Sequence, residues 1–291
     1  MPSALALGLL LPALVTASGY QLTWLDTFQS LDNWVLDVMP GADSGNNEWE
    51  YYTDSSDNVF LSTDPVGGES MLVLQALAQE YQGYNYTSGK VYTKEQLGPY
   101  GFYNVRAKVP QGLGLWPAIW MLPVTENHYG TWAACGEIDL METVCFDPNA
   151  YATLHFGGSW PNNTQTPLNG HNTFPMSINW TETHNWGFEW DLDHVQFWFD
   201  AEVIDGEIQG QNFFSINASE WYSTNFQGIR YPGTAPFDVG FNMILNVAVG
   251  GWWPCSVPGC CEHVQSHLPA QMNVYWVQIY QQTPVPTFLS H

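Results

Sequence analysis

The stretch Phe102-Tyr103-Asn104-Val105-Arg106-Ala107-Lys108-Val109 alternates with a period of two. Its odd positions are apolar, while Asn104, Arg106 and Lys108 share the other face, so it reads as a strand with one dry and one wet side. Working outward, similar short strands are expected over 71–77, 151–156, 186–190, 195–199, 241–249 and 274–280, separated by Gly, Pro, Asn and Asp clusters. Long amphipathic helices are missing. No repeat, linker or low-complexity block interrupts residues 20–282, so the chain reads as one domain. Many short strands in one domain predict an all-β sandwich or jelly roll.

Composition narrows the function. The 291 residues are 45% hydrophobic and 15% aromatic, which supplies a large core and excludes a disordered chain. Twenty-eight Asp and Glu against five Lys and Arg leave a net charge of −23, which excludes nucleic acid as a partner. No internal run reaches the roughly 18 apolar residues of a membrane span. The apolar block 4–11, followed by Ala17, Ser18 and Gly19, reads as a secretory signal over 1–18; the mature domain is then 19–283 and the short Pro-containing tail 284–291. Four glycosylation acceptors, Asn85, Asn162, Asn179 and Asn217, agree with export to an extracellular location.

Five cysteines, Cys135, Cys145, Cys255, Cys260 and Cys261, allow at most two disulfides and leave one thiol over. The run from Cys255 to His263, with His267 beyond, imitates a zinc site. Export favours disulfides instead, with the pairing left open. Lys90, Lys94, Arg106 and Lys108 fall within nineteen positions, which points to local carboxylates, a polar ligand, or ordinary ion pairs on exposed strands.

The segment Gly136-Glu137-Ile138-Asp139-Leu140-Met141-Glu142-Thr143 concentrates three acids in six residues. On a regular strand Glu137 and Asp139 share a face and Glu142 points away. One extra residue near Leu140-Met141, a β-bulge, would return Glu142 to that face. The Cα atoms of Glu137 and Glu142 would then lie roughly 13 Å apart, and inward-reaching carboxyls could approach to about 5–6 Å, the separation used in retaining glycoside hydrolysis. Asp139 would lie between them, sharing a proton or hydrogen bond with Glu137, so the trio should titrate as a coupled group. A solvated acidic strand or a calcium site is the alternative reading. Fifteen tryptophans weigh for carbohydrate: Trp116, Ala118 and Trp120 share a face near the acids, and Trp252-Trp253 follow a glycine pair that marks a loop or a close backbone approach.

Glu137-Ile138-Asp139-Leu140-Met141-Glu142 resembles the bulged E-x-D-x-x-E signature of laminarinase-type members of glycoside hydrolase family 16. The similarity extends through Asn46-Asn47-Glu48-Trp49-Glu50-Tyr51-Tyr52-Thr53, Tyr86-Thr87-Ser88-Gly89-Lys90, Arg106-Ala107-Lys108-Val109-Pro110, the run from Gly114 to Pro123, Leu154-His155-Phe156-Gly157 and Asn246-Val247-Ala248-Val249-Gly250-Gly251. The resemblance implies a jelly roll of two curved antiparallel sheets with an open cleft. It implies a retaining endo-β-1,3-glucanase, with mixed-linkage β-1,3-1,4-glucan as a candidate further substrate, and with Glu137 as nucleophile, Asp139 as its assistant, Glu142 as acid/base and His155 nearby. Trp116, Trp120 and Trp253 match cleft aromatics, and Asn46 and Lys90 match polar sugar contacts.

The partner implied is a β-glucan, the chain acting as a monomer with no required cofactor and no catalytic metal. A β-glucan-binding recognition protein and a transglycosylase on the same scaffold are the alternatives. The sequence departs from the family at Lys90, where Arg is usual, and at Phe102 and Asn104, where Arg and Glu are. Tyr275 stands where relatives often carry a calcium-binding Asp, so a firmly bound structural calcium is not expected, and Trp252 predicts an extra platform or a narrowed cleft end.

Overall fold

The computed structural model describes residues 19–124, 128–166, 172–173 (backbone only) and 178–283. The expected signal and the tail lie outside them. Two eight-stranded sheets are stacked face to face, every pairing within them antiparallel. The backing sheet runs in the order Glu207–Asn217, His194–Ile204, His184–Trp190, Gly101–Lys108, Ala270–Thr283, Ser70–Ala76, Val59–Thr63, with Gly19–Asp26 paired to Ala270–Thr283. The cleft-bearing sheet runs Asn163–Thr166, Tyr151–Gly157, Glu137–Glu142, Leu115–Leu122, Asn242–Val249, Lys90–Thr93, Trp34–Leu36, with Asn172–Thr173 paired to Tyr151–Gly157. This is the jelly-roll sandwich the alternation predicts.

The core between the sheets is built from the period-two faces. Leu72 and Leu74, Tyr103, Val105 and Ala107, Ile119 and Met121, and Met243, Leu245 and Val247 meet there in one cluster. Each such side chain taken out of water contributes about 1.5–3 kcal/mol. Ile138, between two of the acids in sequence, belongs to the same core, so its burial fixes which way Glu137 and Asp139 face.

The even face of Gly101–Lys108 is drier than its pattern suggests. Phe102 packs in a second cluster with Tyr20 and Ala201, and buried Asn104 donates to the Ala201 carbonyl at 2.7 Å. Only Lys108 on that face is exposed. Side chains from nearby strands of the same sheet, Gly19–Asp26 and His194–Ile204, therefore cover Phe102 and Asn104. Nearby, Tyr275 donates to Asp64 Oδ2 at 2.5 Å, and the amides of Val66 and Gly67 bind Asp64 Oδ1 at 2.7 and 2.9 Å. A carboxylate so occupied is a poor calcium ligand.

Disulfides join Cys145 to Cys260 and Cys255 to Cys261, leaving Cys135 free and buried. That removes the zinc reading of the Cys255–His263 run, because all three of its cysteines are consumed. The four glycosylation candidates Asn85, Asn162, Asn179 and Asn217 are all exposed.

Candidate active site

Glu142 reaches the cleft because the strand carries one residue too many. Ala118 and Trp120 oppose Glu142 and Asp139 across one edge, and Tyr151 and Thr153 oppose the same pair across the other. Two steps on each neighbour thus face three steps on Glu137–Glu142, which is the bulge expected at Leu140-Met141. Glu137, Asp139 and Glu142 consequently line one cleft of about 740 Å³. Gly136 leads into the strand at φ +83°, and a Cβ there would lie 2.8 Å from Pro236 Cγ and 2.9 Å from Phe241 Cζ, so only glycine fits that entry.

The cleft floor is drawn from successive strands of the sheet. Gln165, then Thr153 and His155, the three acids, Trp116, Ala118 and Trp120, Asn246 and Ala248, and finally Lys90 line it. Six strands at about 4.8 Å spacing give a floor roughly 24 Å long, room for an extended polymer. Every candidate from the sequence lies here: Glu137, Asp139, Glu142, His155, Asn46, Lys90, Trp116, Trp120 and Trp253.

Each glutamate is held by an indole. Trp132 Nε1 donates to Glu137 Oε2 at 2.9 Å, and Trp116 Nε1 donates to Glu142 Oε1 at 2.9 Å. His155 Nε2 stands 3.2 Å from Asp139 Oδ2 and 3.7 Å from Glu137 Oε1. Burial pushes Glu137 up to about 8, with the Asp139 charge adding to the rise and His155 opposing it. Burial and then Asp139 push Glu142 up to about 8 as well, again against His155. Asp139 is raised well above its usual range by burial alone. Raised in this way, the two glutamates hold protons near neutrality. The arrangement offers one carboxylate and one carboxylic acid on the same wall, the pairing that acid-assisted nucleophilic displacement needs.

Glu137, Asp139 and His155 could in principle hold a cation, their ligand atoms lying within 4.8 Å of one another. His155 Nε2 is also within reach of both carboxyls, so the three side chains already contact one another.

The sequence reading missed the residues that hold its candidates. Glu48 accepts from Ser44 Oγ at 2.6 Å, Asn46 Nδ2 at 3.3 Å and the Tyr52 hydroxyl at 3.0 Å. Asn246 Nδ2 donates to Tyr52 at 3.0 Å and its Oδ1 accepts from Trp120 Nε1 at 2.8 Å. One buried carboxylate thereby positions both Asn46 and Trp120. Fully buried Glu50 accepts from the Val249 amide at 2.6 Å, and burial followed by the Glu48 charge raises its pKa well above the ordinary range. Lys90 pairs with Asp37 at 3.3 Å and lies over the rings of Tyr52 and Trp120 at 5.4 and 5.6 Å, which fixes its ammonium at that end of the cleft. Trp132 and Trp160 were also missed, although both line the cleft. Their position in loops beside the acids was the only available signal.

Gly250 approaches Trp49 so closely that a Cβ would collide with the indole, which is the close backbone approach expected of the glycine pair. Beyond it the short helix Trp252–Ser256 brings Trp252 and Trp253 to the cleft, and Trp253 meets Trp116 edge-on at 5.4 Å.

The model of the family described as "Glycosyl hydrolases family 16" matches residues 45–226. A glucan endo-1,3-beta-glucosidase A1 of Niallia circulans is 36% identical over 242 residues, covering 82% of this chain and 33% of that protein. The chain thus spans about a third of that relative's length. A beta-glucanase of Rhodothermus marinus is 31% identical over 275 residues, covering 91% of this chain and 86% of the other. The catalytic domain of an endo-1,3-beta-glucanase (laminarinase) from Thermotoga petrophila RKU-1 superposes with a TM-score of 0.69 at 29% identity, over 91% of this chain and 99% of that domain. A bulged strand of paired, indole-clamped carboxyls in a jelly roll, together with a family match over most of the chain, leads to one assignment: the protein belongs to glycosyl hydrolase family 16.

Proposed function

We propose that the protein is a secreted endo-β-1,3-glucanase that cleaves internal bonds of laminarin-type glucans with retention of configuration. The observation that carries the reading is the bulge, which turns Glu137 and Glu142 to one face with Asp139 between them in sequence. The Niallia circulans and Thermotoga petrophila proteins, named for β-1,3-glucan cleavage, support the substrate class. Two disulfides and four exposed glycosylation sequons support export.

Glu137, as carboxylate, attacks the anomeric carbon while Glu142, as carboxylic acid, gives its proton to the departing glycosidic oxygen. The C1–O bond breaks as the ester to Glu137 forms. Glu142, now ionised, takes a proton from water, whose oxygen attacks C1 and frees Glu137. Asp139 and His155 bear on Glu137 in opposite senses, Asp139 raising its pKa and His155 lowering it. Trp116, Trp120 and Trp253 offer flat faces to pyranose rings, and Asn46 offers an amide to a hydroxyl.

Time-resolved proton NMR of the secreted protein with laminarin tests this. New reducing ends should appear first as the β-anomer. An early α-anomer would refute retention, and binding without new ends would move the protein to glucan recognition.

A further inference from the structure

Thirteen of the fifteen tryptophans are buried or half-buried, and the two that are largely exposed, Trp160 at 71% and Trp252 at 67%, both border the cleft. An indole left in water forgoes the burial that a large apolar side chain otherwise gains. That both fall on one cleft, and none elsewhere on the surface, calls for a ligand. Trp252 stands on the wall with Trp253, Trp116 and Glu142. Trp160 lines the same cleft past the end of Tyr151–Gly157, the end at which Glu137 pairs with His155, and the residues already assigned to sugar contact leave it without a part.

Its surroundings hold it ready. The Trp160 amide donates to the Trp132 carbonyl at 2.8 Å, and the turn around it is closed by Gly158 N to Asn162 O at 3.1 Å and Asn162 N to Ser159 O at 2.9 Å. Trp132 is the residue whose indole clamps Glu137. Gln165, half-buried on the next strand, lines the same end of the cleft and can give or take a hydrogen bond with a hydroxyl. The turn is also tied to a second loop, through Thr224 N to Gly157 O at 2.9 Å, and that loop exposes Phe226.

We infer that Trp160 is an outer sugar platform: it stacks on a pyranose ring of the bound polysaccharide beyond the carboxylates on the Glu137 side, with Gln165 as its hydroxyl partner. The inference rests on the glucan reading above and extends it to how much of the polymer is gripped. The occupant is a neutral polysaccharide, because a floor lined with carboxyls in a chain of charge −23 repels an anionic one.

The test compares Trp160→Ala and Trp160→Phe with the wild type on polymeric β-1,3-glucan and on the shortest oligosaccharide the wild type cleaves. Trp160 is mostly exposed, so its truncation leaves no core cavity. Trp160→Ala should lose about 3- to 10-fold in kcat/KM on the polymer, the loss carried by KM, with the short substrate unchanged and Trp160→Phe recovering most of it. Wild-type kcat/KM on the polymer, or an equal loss on both substrates, would overturn the platform. If the wild type releases no ends from any β-glucan, the glucan reading fails separately. Affinity electrophoresis in the polymer then decides the platform: weaker retardation of Trp160→Ala supports it and unchanged retardation overturns it.

Discussion

The two ends of the carboxylate strand carry the same chemical group with the same clamp and differ in everything around it. Glu137 and Glu142 each accept an indole N–H at 2.9 Å. At the Glu137 end stands a histidine 3.7 Å away, shared with Asp139, and the wall beyond is held by hydrogen bonds of the Trp132 and Trp160 loops. At the Glu142 end no histidine among the described residues lies within ion-pair distance. Its wall is packed aromatic surface, Trp116 and Trp253 against the buried Cys145–Cys260 disulfide. An imidazole stands beside one carboxyl and packed indoles beside the other, so two identical groups meet different surroundings.

Removing either group should break the comparison most severely. Glu137→Gln should lower turnover by about four orders of magnitude or more while laminarin binding stays measurable; near-normal turnover would end its role as nucleophile. Glu142→Ala should lower turnover of natural glucan by about 10²- to 10⁴-fold and of aryl glycosides with good leaving groups far less. Equal losses on both would make Glu142 structural.

His155→Asn tests the asymmetry itself. His155 lowers the pKa of both glutamates and lies nearer to Glu137, so its loss should move the acid limb of the kcat/KM profile to higher pH and cost about 10- to 100-fold at the optimum. An unmoved limb would show that the histidine does not set the charge.

The shared protons also make a stability prediction. Both glutamates are raised from the ordinary 4.5 to about 8 in the folded protein. The native state therefore binds protons that the unfolded chain releases, so their contribution is full below about pH 4.5 and is lost as pH rises to about 8. Glu142→Gln, which cannot ionise, should gain on the order of 3 kcal/mol over wild type at pH 8 and little at pH 4.5; denaturant melts at the two values check it.

The smallest expected effect is at Glu48, whose charge raises Glu142. Glu48→Gln should shift the alkaline limb slightly to lower pH and raise KM about 2- to 5-fold by loosening Asn46 and Trp120.

How far the sequence could be read follows from the range of each interaction. The strands were legible because alternation is local, and the bulge was legible because parity at Glu137, Asp139 and Glu142 demanded it. Phe102 and Asn104 misled, since what covers them is Tyr20 and Ala201, far away in the chain. The path from Glu48 through Tyr52 and Asn246 to Trp120 joins three separated segments, and the disulfide pairing joins Cys145 to a partner 115 residues on. No local pattern records either. Trp160 was invisible for another reason: exposure, not identity, sets it apart from the other tryptophans.

The most direct test of the central claim is covalent trapping. Incubation with a 2-deoxy-2-fluoro laminaribioside bearing an activated leaving group, followed by proteolysis and mass spectrometry, should find one glycosyl adduct on the peptide containing Glu137, at that side chain. An adduct on Glu142 or Asp139 would contradict the account, as would rapid turnover with inversion and no adduct.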